Sequence, residues 1–258
     1  MFRECHGRLP NIFRARTFSE KIQRRKLFER DPRMPSRADK ILVKDFVREK
    51  LGDGWTTPTL WFGSELPPPA ERTWPVPFVV KASHGCEMNR FVRSPAELDW
   101  AELEAICREW TDQEYGGWGA EWLYREIAPR LLIEPFIGET SSLPIDYKLW
   151  TFGGRVEFIQ VDTDRGTSQQ RAMFNRAWER LPFGVKYPSD PKHIPCPKSL
   201  TAMIEAAEIL SEDFSFVRVD FYEIKASPLF GEITFYPGSG FVRFDPPEYD
   251  RNVGNLWL

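Results

Sequence analysis

The stretch FVRVDFYEIKASPLFGEITFYPGSGF, Phe216 to Phe241, combines two strand-like patterns with two carboxylates. Strand side chains alternate between faces, so in VRVDF Arg218 and Asp220 share one face while Val217, Val219 and Phe221 take the other. In GEITF, Glu232 and Thr234 point together, opposite Ile233 and Phe235. Pairing of the two strands about KASPL would bring both carboxylates onto one sheet face with an arginine beside them. Such carboxylates repel one another and lose solvation unless a cation neutralises them. Magnesium takes oxygen ligands, uses only one or two protein carboxylates and fills its other positions with water and phosphate oxygens. One reading is therefore a phosphate-bound metal site; the other pairs Asp220 with Arg218 and leaves Glu232 in solvent.

Three features upstream bear on that choice. Lys81 ends the apolar strand PFVVK and precedes ASHGCEMN, where Gly85 sits among small or polar residues. Such a loop offers backbone N–H groups to phosphate oxygens, and the lysine adds a positive point charge. Lys40, in ADKILVKDF, falls in the first turns of a patterned helix. In LLIEPFIG, Glu134 and Pro135 interrupt an apolar strand, and proline removes a ladder donor. An adenine would suit this segment, its amine donating to Glu134 and the Pro135 carbonyl while the Ile137 N–H reaches a ring nitrogen. An edge strand with an exposed glutamate is the alternative.

Around these features, TFSEKIQRRKLFERD reads as a basic helix capped by Thr17 or Ser19, with Glu20 in its first turn. SRADKILVKDFVREKLG reads as a second helix running from near Ser36 to a stop at Gly52. The proline-rich SELPPPAERTWPVP is a surface connection. FVVKASHG and NRFVRS form a hairpin, an acidic helix covers about Ser94 to Trp110, and RLLIEPFIG is a strand. DYKLWTFGG and RVEFIQVDTD pair about Gly153-Gly154, and a helix spans roughly Ser199 to Leu210. Regular βαβ spacing is missing, so the pattern predicts an α+β fold with mainly antiparallel sheets.

The 258 residues suffice for a sizeable core, and 41% hydrophobic with 28% charged residues describes an ordinary globular chain. A net charge of -3 argues against a general nucleic-acid binder. Four scattered cysteines and three histidines make no zinc or disulfide pattern, and reduced thiols fit the cytoplasm. The charged N-terminus lacks the apolar run of a signal peptide, and no stretch reaches the length of a membrane span. A soluble cytoplasmic protein is the expectation.

Together the motifs resemble the ATP-grasp superfamily. ADK ending in Lys40, FVVKAS with Lys81, IEPFI with Glu134, RVDF and GEITFYPGSG follow the order seen in D-alanine:D-alanine ligase-type enzymes. The combination of TFSEKIQ, VKASHG, DYKLWTFGGRVEFIQVDTDR, FVRVDFY, GEITFYPGSGF and FDPPEYD is similar to the TupA-like branch, over about residues 5 to 255. That branch is associated with teichuronopeptide and other surface-polysaccharide biosynthesis. The resemblance implies two α+β subdomains gripping ATP between them. The expected layout is a helical N-terminal segment over 1–50, a small subdomain with the phosphate loop over 51–136, and a C-terminal subdomain with the metal site over 137–258.

The resemblance further implies that Lys40 and Lys81 bind the ATP phosphates under a loop containing Ser83, Gly85 and Asn89. Glu134, Pro135 and Ile137 would hold adenine, and Asp146 or Lys148 would contact ribose or phosphate. Asp220 and Glu232 would ligate Mg2+, with Thr234 where the superfamily usually has asparagine, and Arg218 would face the γ-phosphate or an acyl-phosphate. His84 could bridge to phosphate or acceptor. The implied reaction is ATP-dependent carboxylate–amine ligation through an acyl-phosphate, with positioning and charge neutralisation as its main devices. A small-molecule kinase, or a nucleotide-binding partner without chemistry, are the alternatives.

Substrate groups are expected in RGTSQQRAMFNRAWERL, a polar loop containing Arg165, Arg171, Arg176 and Arg180, and at Ser239; a mobile, solvated surface loop is the alternative. The partners implied are a saccharide or small-molecule carboxylate and an amine. The basic run Lys21 to Arg37 reads as a solvated helix face or as a surface for an anionic glycan or the inner membrane, allowing peripheral attachment. Fewer than forty residues precede Lys40, which leaves the acceptor to the remaining domains, a second subunit of a homo-oligomer or another protein.

Overall fold

The computed structural model describes residues 1–139, 143–166 and 168–258. Its chain packs as two compact units, one formed by Met1–Arg30 with Leu143–Leu258, the other by Asp31–Ser142. Both are α+β with antiparallel sheets, as the patterning predicts. Among the described residues, no helix is long and apolar enough to cross a membrane.

The first unit is built on a five-stranded sheet, Ser227–Thr234, Phe216–Ile224, Asp146–Phe152, Arg155–Thr163 and Gln170–Phe174 in spatial order. One face carries the buried apolar row Ile159, Leu149, Val219 and Ile233, and helix Leu200–Ser211 packs on the sheet. The other face divides in two. Its aromatic half, Trp150, Phe152 and Phe216, surrounds Phe18, whose ring lies 5.0 Å from Trp150 and 4.9 Å from Phe216. Phe18 opens helix Phe18–Phe28, so this basic helix is anchored on the sheet, with Arg25 buried and donating to the Phe216 carbonyl at 2.6 Å. Thr17 and Glu20 form the capping box there. Although burial opposes its charge, the Glu20 carboxyl is lowered to about 2 by N–H groups of Arg16, Asn11 and Thr17 and by Arg8.

Two details set the register of the hairpin that opens the sequence argument. Its tip is the two-residue turn Lys225-Ala226, with Ile224 opposite Ser227. Both turn residues have positive φ, 51° and 64°, the conformation that Asn-Gly adopts with least strain. Lys225→Asn combined with Ala226→Gly should therefore raise unfolding stability by about 1–2 kcal/mol, read from urea denaturation; an unchanged or lower midpoint would refute the strain. The second detail is a bulge at Gly231. Before it Phe230 opposes Phe221; after it Glu232 opposes Asp220. Unbroken alternation would have set Glu232 against Val219, on the apolar side. A Cβ at 231 would lie 3.1 Å from the Asp220 carbonyl oxygen, which accounts for the glycine.

The second unit holds a four-stranded sheet in the order Trp61–Gly63, Leu131–Pro135, Phe78–Ala82, Asn89–Val92. Its core joins Phe78, Val80, Leu131 and Ile133 to Leu103 of helix Trp100–Asp112.

Several expectations are corrected. The second helix is broken into Arg33–Ala38 and Leu42–Leu51. Asp39 turns out into extended backbone between them, and its carboxylate accepts from the N–H groups of Ile41 at 2.7 Å and Leu42 at 3.2 Å. A side chain that satisfies those donors competes with helix continuation, and Lys40 lies in the break. The stretch following Asp164 is not simply a loop: Gln170–Phe174 is the edge strand of the five-stranded sheet, and Thr167 is outside the described residues. Patterning also missed Trp61–Gly63, a two-stranded ribbon of Gly184–Val185 with Phe244–Asp245, and helix Tyr249–Leu256.

Candidate active site

On the five-stranded sheet, the other half of the mixed face is polar, and most of its side chains are buried. Register places Glu232, Asp220, Lys148 and Gln160 directly opposite one another across four adjacent strands. Beside this row run Asp146, Asp162 and Arg171, also in register. Arg218 binds Asp220 with two bonds of 2.7 Å and reaches Glu232 at 3.3 Å and the Thr234 hydroxyl at 3.1 Å. Thr234 in turn donates to Glu232 at 3.0 Å. Lys148 Nζ donates to Asp146 at 2.5 Å and Asp220 at 2.6 Å. Arg165 donates to Asp146 at 3.0 Å and lies over the Tyr222 ring.

The electrostatics distinguish the two buried aspartates. Burial raises the Asp146 carboxyl above its usual range, and its Oδ1 is buried with no hydrogen-bond partner among the described residues. Asp220 is equally buried, yet Arg218 and Lys148 hold it low. Burial would lower Lys148 and Arg218, but the carboxylates around them keep both above their usual values. Glu232 differs again, with its side chain about one-third exposed. This arrangement contains both sequence readings at once: Asp220 does pair with Arg218, and Glu232 stands on the same face.

The remaining arginines are committed elsewhere. Arg171 gives a two-pronged bond to Asp162 at 2.6 and 2.9 Å and a third to the Val185 carbonyl, so it is part of the sheet's ion network. Arg176 binds Glu208 of helix Leu200–Ser211 and the Val156 carbonyl. Ser239 lies in the Pro237–Gly240 turn with φ 57°; its carbonyl accepts from Gln23 and Lys26, and its hydroxyl from Lys26.

In the second unit, Lys40, Ser83 and Gly85 form one tight structure. The Lys40 N–H donates to the Ser83 carbonyl at 3.3 Å and its ammonium to the Gly85 carbonyl. A Cβ at Gly85 would come within 2.7 Å of Met88 Sδ and 3.0 Å of the Tyr115 ring. His84 is buried with Nε2 3.0 Å from the Trp110 carbonyl, and desolvation lowers its pKa from the usual imidazole range. Asn89 begins the strand opposite Lys81 and is exposed.

Glu134 is not on an edge and not exposed. Its strand lies between two others, and the side chain is 4% exposed. The carboxylate is bound by Lys81 Nζ at 2.6 Å and by Lys44, which hold its pKa down against burial. Lys44 also donates to the Thr57 carbonyl and Thr59 hydroxyl at 2.8 and 2.7 Å. Sequence reasoning missed Lys44, although its spacing of four from Lys40 on a patterned helix was the available signal. It missed Gln160 and Asp162 too, which alternation in RVEFIQVDTD places on one face. Pro135 ends the strand opposite Phe78, and Ile137 follows half-buried.

Whether the residues fit a magnesium ion can be judged from their donors. Among the described residues, no three His, Cys, Asp or Glu side chains converge as a metal cluster. The register pair Asp220–Glu232 with the Thr234 hydroxyl is nevertheless an all-oxygen set, and Mg2+ needs no more than two protein carboxylates when phosphate and water complete it. The residues fit.

Solved structures that resemble the chain are ATP-grasp ligases. Helicobacter pylori D-alanine-D-alanine ligase matches with 19% identity and a TM-score of 0.50, covering 93% of this chain and 68% of that one. Bacillus licheniformis L-amino acid ligase gives 15% and 0.50, covering 90% and 50%. Bacillus anthracis D-alanine–D-alanine ligase gives 16% and 0.47, covering 78% and 58%. The chain thus spans between about half and two-thirds of the length of these proteins. No curated protein matches the sequence significantly. The class defined is an ATP-grasp fold. Within it, the TupA-like ATPgrasp family model matches residues 20–258, and the chain belongs to that family.

Proposed function

We propose that the protein is an ATP-dependent carboxylate–amine ligase that joins an amine or amino acid to a saccharide or amino-acid carboxylate in the assembly of a surface polysaccharide or a secondary metabolite. The observation that carries this reading is the in-register row Glu232, Asp220, Lys148 with Arg218 beside it. Paired carboxylates and cations gathered on one half of a sheet face suit a metal-bound polyphosphate better than an apolar core.

Asp220 and Glu232, with the Thr234 hydroxyl, would hold Mg2+, which when bound supplies charge neutralisation to the phosphates. Lys40 and Lys81 would bind phosphate oxygens at the Ser83–Gly85 loop. Two lysines on one carboxylate leave the Lys44–Lys81–Glu134 group a net positive charge for that purpose. Glu134 would then orient Lys81 through its side chain, and the segment through Pro135 and Ile137 would hold adenine. Asp146, whose Oδ1 lacks a partner, and Lys148 would contact ribose or phosphate. In the reaction, a substrate carboxylate oxygen attacks the γ-phosphorus, the bond to ADP breaks, and an acyl-phosphate forms. The amine then attacks the acyl carbon, phosphate leaves, and the amine loses its proton. Arg218 would stabilise charge on the transferring phosphoryl group.

Incubation with Mg2+-ATP and a panel of acids and amines tests this. ADP and phosphate released only when both an acid and an amine are present, with an amide of the matching mass, are the expected result. A phosphorylated product formed without amine would mark a kinase, and ATP binding without turnover a non-catalytic partner.

A further inference from the structure

Residues 1–30 contain nine lysines and arginines against three glutamates, in a chain whose net charge is -3, and of the nine only Arg25 and Lys26 are buried. This charge is not spread over an ordinary solvated face. Phe13 is 78% exposed and Phe28 55% exposed, and their rings lie 6.4 Å apart. Leu9 and Leu27 are exposed as well. Arg24 lies over the Phe28 ring at 5.8 Å and donates to the Ile12 carbonyl. A cavity of about 330 Å³ is lined by Arg14, Arg16 and Arg251 together with Asn11, Thr17 and Glu20. The one carboxylate there is satisfied by Arg8 and by three backbone N–H groups.

We infer that this surface docks on an anionic lipid bilayer, with Phe13 and Phe28 entering the headgroup boundary and the arginines meeting lipid phosphates. The pairing of chemistry favours this occupant. A solvated helix would not display two large rings in contact with each other, and a protein interface normally removes charge from its apolar centre. At a membrane surface, apolar side chains and flanking arginines are both accommodated, since the ring is buried while the guanidinium reaches the phosphate layer. Each arginine near an anionic surface strengthens binding roughly fivefold. The inference is independent of the ligase chemistry.

Vesicle co-sedimentation tests it. Vesicles of phosphatidylcholine containing about one-third phosphatidylglycerol should bind the protein at least about tenfold more strongly than phosphatidylcholine alone, with the difference shrinking as salt rises from about 0.1 M to about 0.5 M. Phe13→Ser with Phe28→Ser should lower partitioning about tenfold at either salt. Arg14→Gln with Arg24→Gln should lower it similarly and flatten the salt dependence. All four side chains are exposed, so melting temperatures should match the parent. No binding to anionic vesicles, binding indifferent to the two phenylalanines, or preferential capture by a soluble acidic polysaccharide would each overturn the inference.

Discussion

Glu232→Gln should lower turnover by at least about a thousandfold while leaving the melting temperature nearly unchanged. The two halves of this expectation come from one observation. Glu232 is about one-third exposed and touches only the edge of the ion network, at 3.3 Å from Arg218 and 3.0 Å from the Thr234 hydroxyl. Its removal leaves Arg218 fully bonded to Asp220, so the structural cost is at most about 1 kcal/mol. What is lost is half of the carboxylate pair proposed to hold Mg2+. Calorimetric titration with a non-hydrolysable ATP analogue separates this from a general defect: the variant should lose the Mg2+-dependent part of binding and keep the rest. Parental activity in the variant would remove Glu232 from the metal assignment.

The second large effect is on stability. Lys148→Met should destabilise the fold by about 3–5 kcal/mol, because it leaves Asp146 and Asp220 buried with a cation missing between them. Asp220 keeps Arg218, and Asp146 keeps Arg165, so the protein should still fold. The loss should also depend on pH in a definite direction. Without Lys148 the folded-state pKa values of both aspartates rise, and an aspartate with a raised pKa destabilises the fold where it is ionised. The deficit should thus be full at pH 8 and shrink as the pH falls toward the unfolded value near 4, about 3.9 for aspartate. Urea denaturation at several pH values measures it. A deficit constant across that range would show that the lysine acts by packing alone.

The legible and illegible parts of this site separate by the distance over which residues interact. Period-two alternation and the turn at Lys225-Ala226 are local and pair the two strands, while the bulge at Gly231 is what sets Glu232 opposite Asp220. The hairpins at Gly153-Gly154 and around Ser83–Met88 were equally local. Lys40 was misplaced because a single side chain, Asp39, takes the donors that would have continued the helix. The edge-strand alternative for Glu134 stays open in the sequence because strand order is non-local. Nothing within LLIEPFIG shows that Trp61–Gly63 lies on one side of it and Phe78–Ala82 on the other. The same holds for Arg171, whose strand has too few β-branched residues to stand out and whose bonds to Asp162 appear only once the sheet is assembled.

Gly231 carries a consequence for how this hairpin tolerates change in length. Since Gly231 is the one extra residue between Phe230 and Glu232 in the pairing, deleting it would leave Glu232 opposite Asp220, whereas regular pairing at unchanged length would exchange the faces of everything up to Thr234. Glu232 and Thr234 would be driven into the layer beneath the sheet, and Ile233 would take their place among the ions. Substitutions along this strand act one side chain at a time; loss of the bulge at constant length acts as a frameshift in three dimensions. The proposed metal pair is thereby set by a residue that contributes no side chain to it.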